Sequence, residues 1–253
     1  MPRQTTLLAE LFARERFTLI VLDACRYDSL MTLLDGDGNL PTGDGGALQC
    51  TPQKALSAGT HTYIWLQEAL DGYYPDTQVY SGHPVINSAG ETPESFIPTV
   101  NRNLFADDYT HPWRATEHFR PDNIHDAWQR SDVQDNYGTD PGAVVDEIRE
   151  VGWGQRNIAW FMAPHAPYSA GGETPQQRYH NTLRDVVRLL AAIFPAPGRV
   201  VITGDHGEAF REPAAYGLEG IDWKDQLRHE PRVRIPALLN VPWLEVSQYI
   251  QDY

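Results

Sequence analysis

Three short apolar runs in this chain each lead to a side chain able to bind a metal ion. Phe17-Thr-Leu-Ile-Val-Leu22 is followed at once by Asp23. Ile158-Ala-Trp-Phe-Met162 leads into Pro164-His165-Ala-Pro167-Tyr168, and Val201-Ile-Thr203 gives way to Gly204 and then to Asp205 and His206. Continuous runs of this length are the pattern of strands buried on both faces of a parallel sheet. Ligands of open α/β sheets gather just outside the carboxyl ends of such strands. If the three runs lie parallel, Asp23, His165 and the Asp205-His206 pair meet on one rim. Carboxylates beside imidazoles suit a divalent cation. For any single pair a salt-bridged strand end is the plainer alternative; three such ends together point to a metal site.

The segments around these runs read largely as helices, with further strands among them. Helical patterns are predicted near residues 4–15, 26–34, 61–70, 141–151 and 174–193, and further strands at 77–81, 199–203 and 235–240. Residues 35–46 are rich in Gly and Asp and read as turns. Residues 84–140 hold many Pro, Asn, Asp and Trp with weak periodicity, and are expected to form an irregular lid or insertion. Strand–helix alternation implies a three-layer α/β/α sandwich around a mostly parallel central sheet. A length of 253 residues fits one such domain, residues 1–253, rather than two.

Charge narrows the choice of partner. The formal net charge is −14, and the 20 basic residues include only two lysines, Lys54 and Lys224. Strong acidity without lysine is the composition expected of a halophilic protein, whose carboxylates keep its surface hydrated; an ordinary acidic enzyme is the alternative. Nonspecific nucleic-acid binding, which needs a basic face, is not expected. No apolar run approaches the roughly 20 residues of a membrane span. The first dozen residues carry Glu10 within their apolar stretch and no evident cleavage site, and Cys25 and Cys50 make no disulfide framework. A soluble cytoplasmic protein with no membrane partner is the expectation.

Four motifs in order carry a resemblance. Asp23-Ala-Cys-Arg-Tyr-Asp28 resembles the first metal-binding turn of the alkaline phosphatase superfamily, in its sulfatase-like and phosphodiesterase-like branches. Thr203-Gly-Asp-His-Gly-Glu208 resembles that family's late Asp-His motif. Pro164 to Tyr168 is similar to the middle histidine motif of sulfatases and of phosphoglycerol or phosphoethanolamine transferases. His229-Glu-Pro-Arg-Val-Arg-Ile-Pro236 looks like the closing histidine. The resemblance runs from about residue 17 to residue 243, with little from residues 84–155. It implies a phosphodiesterase or phosphatase acting on a small anionic ester, through a covalent phospho-threonine and then water. Sulfate ester hydrolysis, head-group transfer and a catalytically silent anion-binding member remain as alternatives.

The same resemblance places the nucleophile at a helix start between Asp23 and the next strand. Ala58-Gly-Thr-His-Thr-Tyr63 fits, with Thr60 at the family's nucleophile position. Thr60 as the N-cap of that helix is the structural alternative, and both can hold. Cys50-Thr-Pro-Gln-Lys54 is a rival, similar to the sulfatase signature whose cysteine becomes formylglycine. It departs from that signature at Gln53 and Lys54, and Ala24 stands where sulfatases usually have a second Asp. By resemblance Asp23, Thr60, Asp205 and His206 hold one Zn²⁺ or Mn²⁺. His165 and His229 either complete a second metal site or bind phosphate and protonate the leaving group. Arg26 either contacts a phosphate or pairs with Asp28.

Overall fold

The computed structural model describes residues 1–91, 113–130, 139–210 and 233–251. Its elements, in chain order, are α1 (Gln4–Phe12), β1 (Phe17–Leu22), α2 (Tyr27–Met31), β2 (Asn39–Pro41), β3 (Ala47–Leu56), α3 (Thr62–Ala69), β4 (Thr77–Ser81), α4 (Ala115–His118) and β5 (Ile124–His125). The chain continues through α5 (Pro141–Val151), β6 (Arg156–Phe161), α6 (Pro175–Leu189), β7 (Arg199–Gly204), α7 (Pro236–Leu239) and β8 (Asn240–Ile250). The strands form one sheet in the order β2-β3-β8-β7-β1-β6-β4-β5. From β7 to β5 every pairing is parallel. The β2-β3-β8 arm is antiparallel, so only β2 and β8 oppose the common direction.

Strand β1 shows why the sandwich has three layers. All six of its residues are buried, and successive side chains alternate between faces. Ile20 and Leu22 pack with Val144 and Ile148 of α5 and Leu183 and Val186 of α6. Phe17, Leu19 and Val21 pack on the other face with Leu8 and Leu11 of α1 and Trp65 and Leu66 of α3. The helices start where their caps dictate. Asp140 accepts from Gly142 N ahead of α5, and Thr174 forms a capping box with Gln177 ahead of α6, each with proline at the first turn.

Two expectations about the sheet change. The strand predicted at 235–240 is a single helical turn, α7, because Pro236 is pre-set for a first helical position; the strand begins at Asn240. The segment around Cys50, for which no element is predicted, forms β3, ten residues long and paired with β8. Within the region read as a lid, Ile124 and His125 add a parallel edge strand beside β4. Residues 92–112 and 131–138 of that region lie outside the described residues.

The charge of −14 has a measurable consequence for this fold. Neighbouring carboxylates repel across a Debye length of about 10 Å at 0.1 M salt and about 3 Å at 1 M. The melting temperature should therefore rise from dilute buffer to molar KCl, each kcal/mol of relieved repulsion giving about 2–4 °C for a chain of this size. A flat or falling melting temperature across that range would rule out salt adaptation.

Candidate metal centre

Adjacent parallel strands bring the acidic residues together. In the β1–β7 register Leu22 lies opposite Gly204, so the residue after each strand end is an aspartate: Asp23 and Asp205. Both are fully buried, as is His206. One ligand atom from each of Asp23, Asp205 and His206 lies within 4.8 Å of the other two. The turns after the two strands are packed closely enough to need small residues. A Cβ on Gly204 would sit 2.5 Å from Cys25 O, and one on Gly207 would sit 1.9 Å from Ala237 O.

Main-chain bonds aim these side chains. Asp205 Oδ1 accepts from Ala24 N at 2.9 Å and from His206 N at 2.8 Å. His206 Nδ1 lies 2.8 Å from Gly207 O, so a proton there leaves the Nε2 lone pair for the cluster. That Nε2 is 3.4 Å from Asp205 Oδ2 and 3.7 Å from Asp23 Oδ1. Gln4, buried on α1, ties the end of β7 down by donating to Thr203 Oγ1 and Gly204 O while accepting from Trp65 Nε1.

Helix α3 adds a hydroxyl. Its N-cap is His61, whose ring accepts from Tyr63 N at 3.3 Å, so Thr62 is the first helical residue. Thr62 Oγ1 donates to Asp205 Oδ2 at 2.9 Å and lies 3.3 Å from His206 Nε2. The preceding loop is pinned to the same strand end, because the Ser57 hydroxyl bonds both Asp205 O and Gly59 O. Gly59 permits the turn: a Cβ there would sit 2.7 Å from Trp65 N. Thr60 is buried in this loop, one residue ahead of the His61 cap.

The electrostatics favour a cation. Burial above all, and then the charges of Asp205 and Glu208, push the Asp23 carboxyl well above its ordinary range. Asp23 Oδ2 accepts from Trp160 Nε1 at 3.3 Å, while its Oδ1 accepts no hydrogen bond from any described residue. His83 stands 3.8 Å from Asp23 Oδ2, with its pKa lowered to about 3 by burial and by His206. Its Nδ1 accepts from Val85 N, so it faces Asp23 with a neutral N–H rather than a positive charge. Buried acids, a lone pair without a donor and an imidazole are a donor set for a divalent metal ion. Asp23, Asp205, His206 and the Thr62 hydroxyl fit such an ion.

The remaining sequence candidates are less close. His165 sits, partly buried, on the turn after β6 and outside the group of ligand atoms found among the described residues. His229 lies outside the described residues. Cys50 is in the middle of β3 with its thiol pushed up to about 12 by burial, away from any helix start. Arg26 makes two bonds to Asp28, at 2.9 and 2.6 Å, and a third to Glu208 O at 3.0 Å. It clamps the turns that follow β1 and β7 to each other. The sequence motifs do not mark Thr62, and they mark His83 only as the histidine of Ser81-Gly-His-Pro-Val85 after the strand predicted at 77–81. Thr62 was visible as a second hydroxyl at the same helix start.

No protein-family model matches the chain, and neither does any curated protein. Solved structures do. The integral membrane protein lipooligosaccharide phosphoethanolamine transferase A from Neisseria meningitidis aligns over 94% of this chain and 48% of its own, at 12% identity and a TM-score of 0.48. This chain thus spans about half of that protein. The soluble domain of the same transferase aligns over 93% of this chain and 76% of its own, at 13% identity and a TM-score of 0.49. The C-terminal periplasmic domain of EcEptC from Escherichia coli, in complex with Zn, aligns over 95% of this chain and 75% of its own, at 11% identity and a TM-score of 0.42. The first two are described as phosphoethanolamine transferases. The neighbours also correct one expectation. A structure described as a periplasmic domain stands against a cytoplasmic location, which is withdrawn. Among the described residues no helix is long and apolar enough to cross a membrane.

Proposed function

We propose that this chain is a metal-dependent phosphoric ester hydrolase that works through a phospho-Thr62 intermediate. The observation that carries the reading is the Thr62 hydroxyl, set at a helix start and bonded to Asp205 beside two further metal-competent groups. The assignment moves the nucleophile from Thr60 to Thr62. A divalent ion held by Asp23, Asp205, His206 and Thr62 would lower the pKa of the threonine hydroxyl and neutralise charge on the phosphoryl oxygens.

The chain's own groups do the rest. Thr62 Oγ1 donates to Asp205 Oδ2 at 2.9 Å, and that oxygen takes the proton as Oγ1 attacks phosphorus. The Oγ1–P bond forms as the bond to the leaving oxygen breaks. The positive end of the α3 dipole favours the anionic phosphoryl group at this position. His165, on the neighbouring strand end, is assigned the proton for the leaving oxygen, with His229 as its partner in that role. Water then attacks phosphorus and gives a proton to the deprotonated His165, while Asp205 returns its proton to Oγ1 as the Oγ1–P bond breaks, regenerating Thr62.

A substrate panel tests this. In molar KCl with Zn²⁺ or Mn²⁺ supplied, p-nitrophenyl phosphate and bis-p-nitrophenyl phosphate should be turned over and p-nitrophenyl sulfate should not. Faster turnover of the sulfate would favour the sulfatase alternative. Product appearing only when an alcohol acceptor is added would make the chain a transferase. Bound metal with no turnover of any ester would mark a silent anion-binding member.

A further inference from the structure

Ala24 is the only non-glycine residue with positive φ among the described residues, at φ 59°. That conformation is uncommon for a residue with a Cβ and persists only where neighbours enforce it. Ala24 lies between the metal-bearing turns and is fully buried. Its N–H donates to Asp205 Oδ1 at 2.9 Å, and its carbonyl accepts from the Tyr179 hydroxyl at 2.8 Å. The same hydroxyl accepts from Arg26 N at 2.9 Å. One phenol on α6 therefore uses its donor and an acceptor lone pair to grip the main chain on both sides of Cys25.

The ring that carries this hydroxyl is itself immobilised. Tyr179 is fully buried and packs edge-to-face against Tyr168 and Phe210, with centroids 5.8 and 5.1 Å away. Without the hydroxyl, both of these contacts are lost. The buried Ala24 carbonyl and Arg26 amide would lose their partner, and the turn would relax toward ordinary backbone.

We propose that Tyr179 is a positioning residue of the metal centre, holding Ala24 in its left-handed conformation and so fixing Asp23 against Asp205. The inference rests on Asp23, Asp205 and His206 being metal ligands. Groups that orient metal ligands without touching the ion typically change affinity by about 10–100-fold when removed.

The test is a cycle of Tyr179→Phe, Ala24→Gly and the double variant, with zinc affinity read by competition against a chromophoric chelator. Tyr179→Phe should weaken zinc by about 10–100-fold. Glycine adopts positive φ without a clamp, so Ala24→Gly should restore most of that loss in the double variant while changing little alone. Unchanged zinc affinity in Tyr179→Phe, or no rescue by glycine, would overturn the proposal. Melting temperatures of the metal-free proteins give an arm independent of zinc. Ala24→Gly should raise the melting temperature more in the Tyr179→Phe background than in the wild type, and equal shifts would overturn the clamp. A wild type that binds no zinc while showing that unequal shift would sink the metal reading and leave the clamp standing.

Discussion

Thr62→Ala is expected to abolish turnover of phosphate esters while leaving the fold in place. The loss should be on the order of 10⁴–10⁶ in kcat, the scale seen when a covalent nucleophile is deleted. Folding should survive because α3 is anchored by Trp65 and Leu66 in the core, not by the hydroxyl. The Thr62–Asp205 hydrogen bond is worth only about 1 kcal/mol net. Thr60→Ala and Cys50→Ala should each retain most activity: Thr60 precedes the His61 cap rather than opening the helix, and Cys50 is set within β3. Thr62→Ser keeps an oxygen at the same place and should keep measurable turnover. Acid quenching of the wild type during turnover should leave phosphate on Thr62, read by peptide mass spectrometry. An active Thr62→Ala beside an inactive Thr60→Ala would return the nucleophile to Thr60. An inactive Cys50→Ala would revive the formylglycine reading.

The site was legible in the sequence to the extent that it depends on strand ends. Runs such as Phe17–Leu22 declare themselves because both of their faces are buried, and the residue next after such a run must lie on the rim of the sheet. Asp23, Asp205 and His206 therefore come together as read. Thr62 was harder, because the start of α3 is set by tertiary packing. Gly59 against Trp65, Ser57 against Asp205 and the His61 ring on Tyr63 N together shift the first helical residue to Thr62. No local rule places His61 as a cap ahead of a threonine.

The antiparallel arm was missed for a related reason. Thr51, Pro52, Gln53 and Lys54 are all exposed, so β3 shows no alternation between core and solvent there. Proline and lysine on a strand are devices that blunt an open edge, and they also hide the strand from pattern reading. Lys54 stands over the Tyr27 ring at 4.7 Å, so one of the chain's two lysines has a local partner. Location was not legible at all, since neither charge nor cysteine content distinguishes one aqueous compartment from another at this level.

Asp23→Asn should separate metal binding from stability, in opposite directions. In the metal-free protein, burial and the charges of Asp205 and Glu208 raise the Asp23 carboxyl above its ordinary value of 3.8. The folded state then binds this proton more tightly than the unfolded chain does. Between the unfolded and folded pKa values folding takes up a proton, so stability falls as pH rises through that window, and above it the loss is complete. Each pKa unit in the window corresponds to about 1.4 kcal/mol, or about 2–4 °C in melting temperature. Bound cation removes the need for the proton. Zinc should therefore raise the melting temperature more at neutral pH than at pH 4, and its affinity should tighten as pH rises. The measurements belong in molar KCl, where repulsion among surface carboxylates is screened. An asparagine has no charge to bury, so metal-free Asp23→Asn should melt above metal-free wild type at neutral pH and lose the pH slope. It should also hold zinc at least about 100-fold more weakly, having lost an anionic ligand. A variant that melts below metal-free wild type at neutral pH and still carries full zinc would sink the assignment of Asp23 as a buried metal ligand. A gain in stability with loss of metal would show that the fold tolerates an unfavourable carboxylate at this strand end for the sake of the ion it holds.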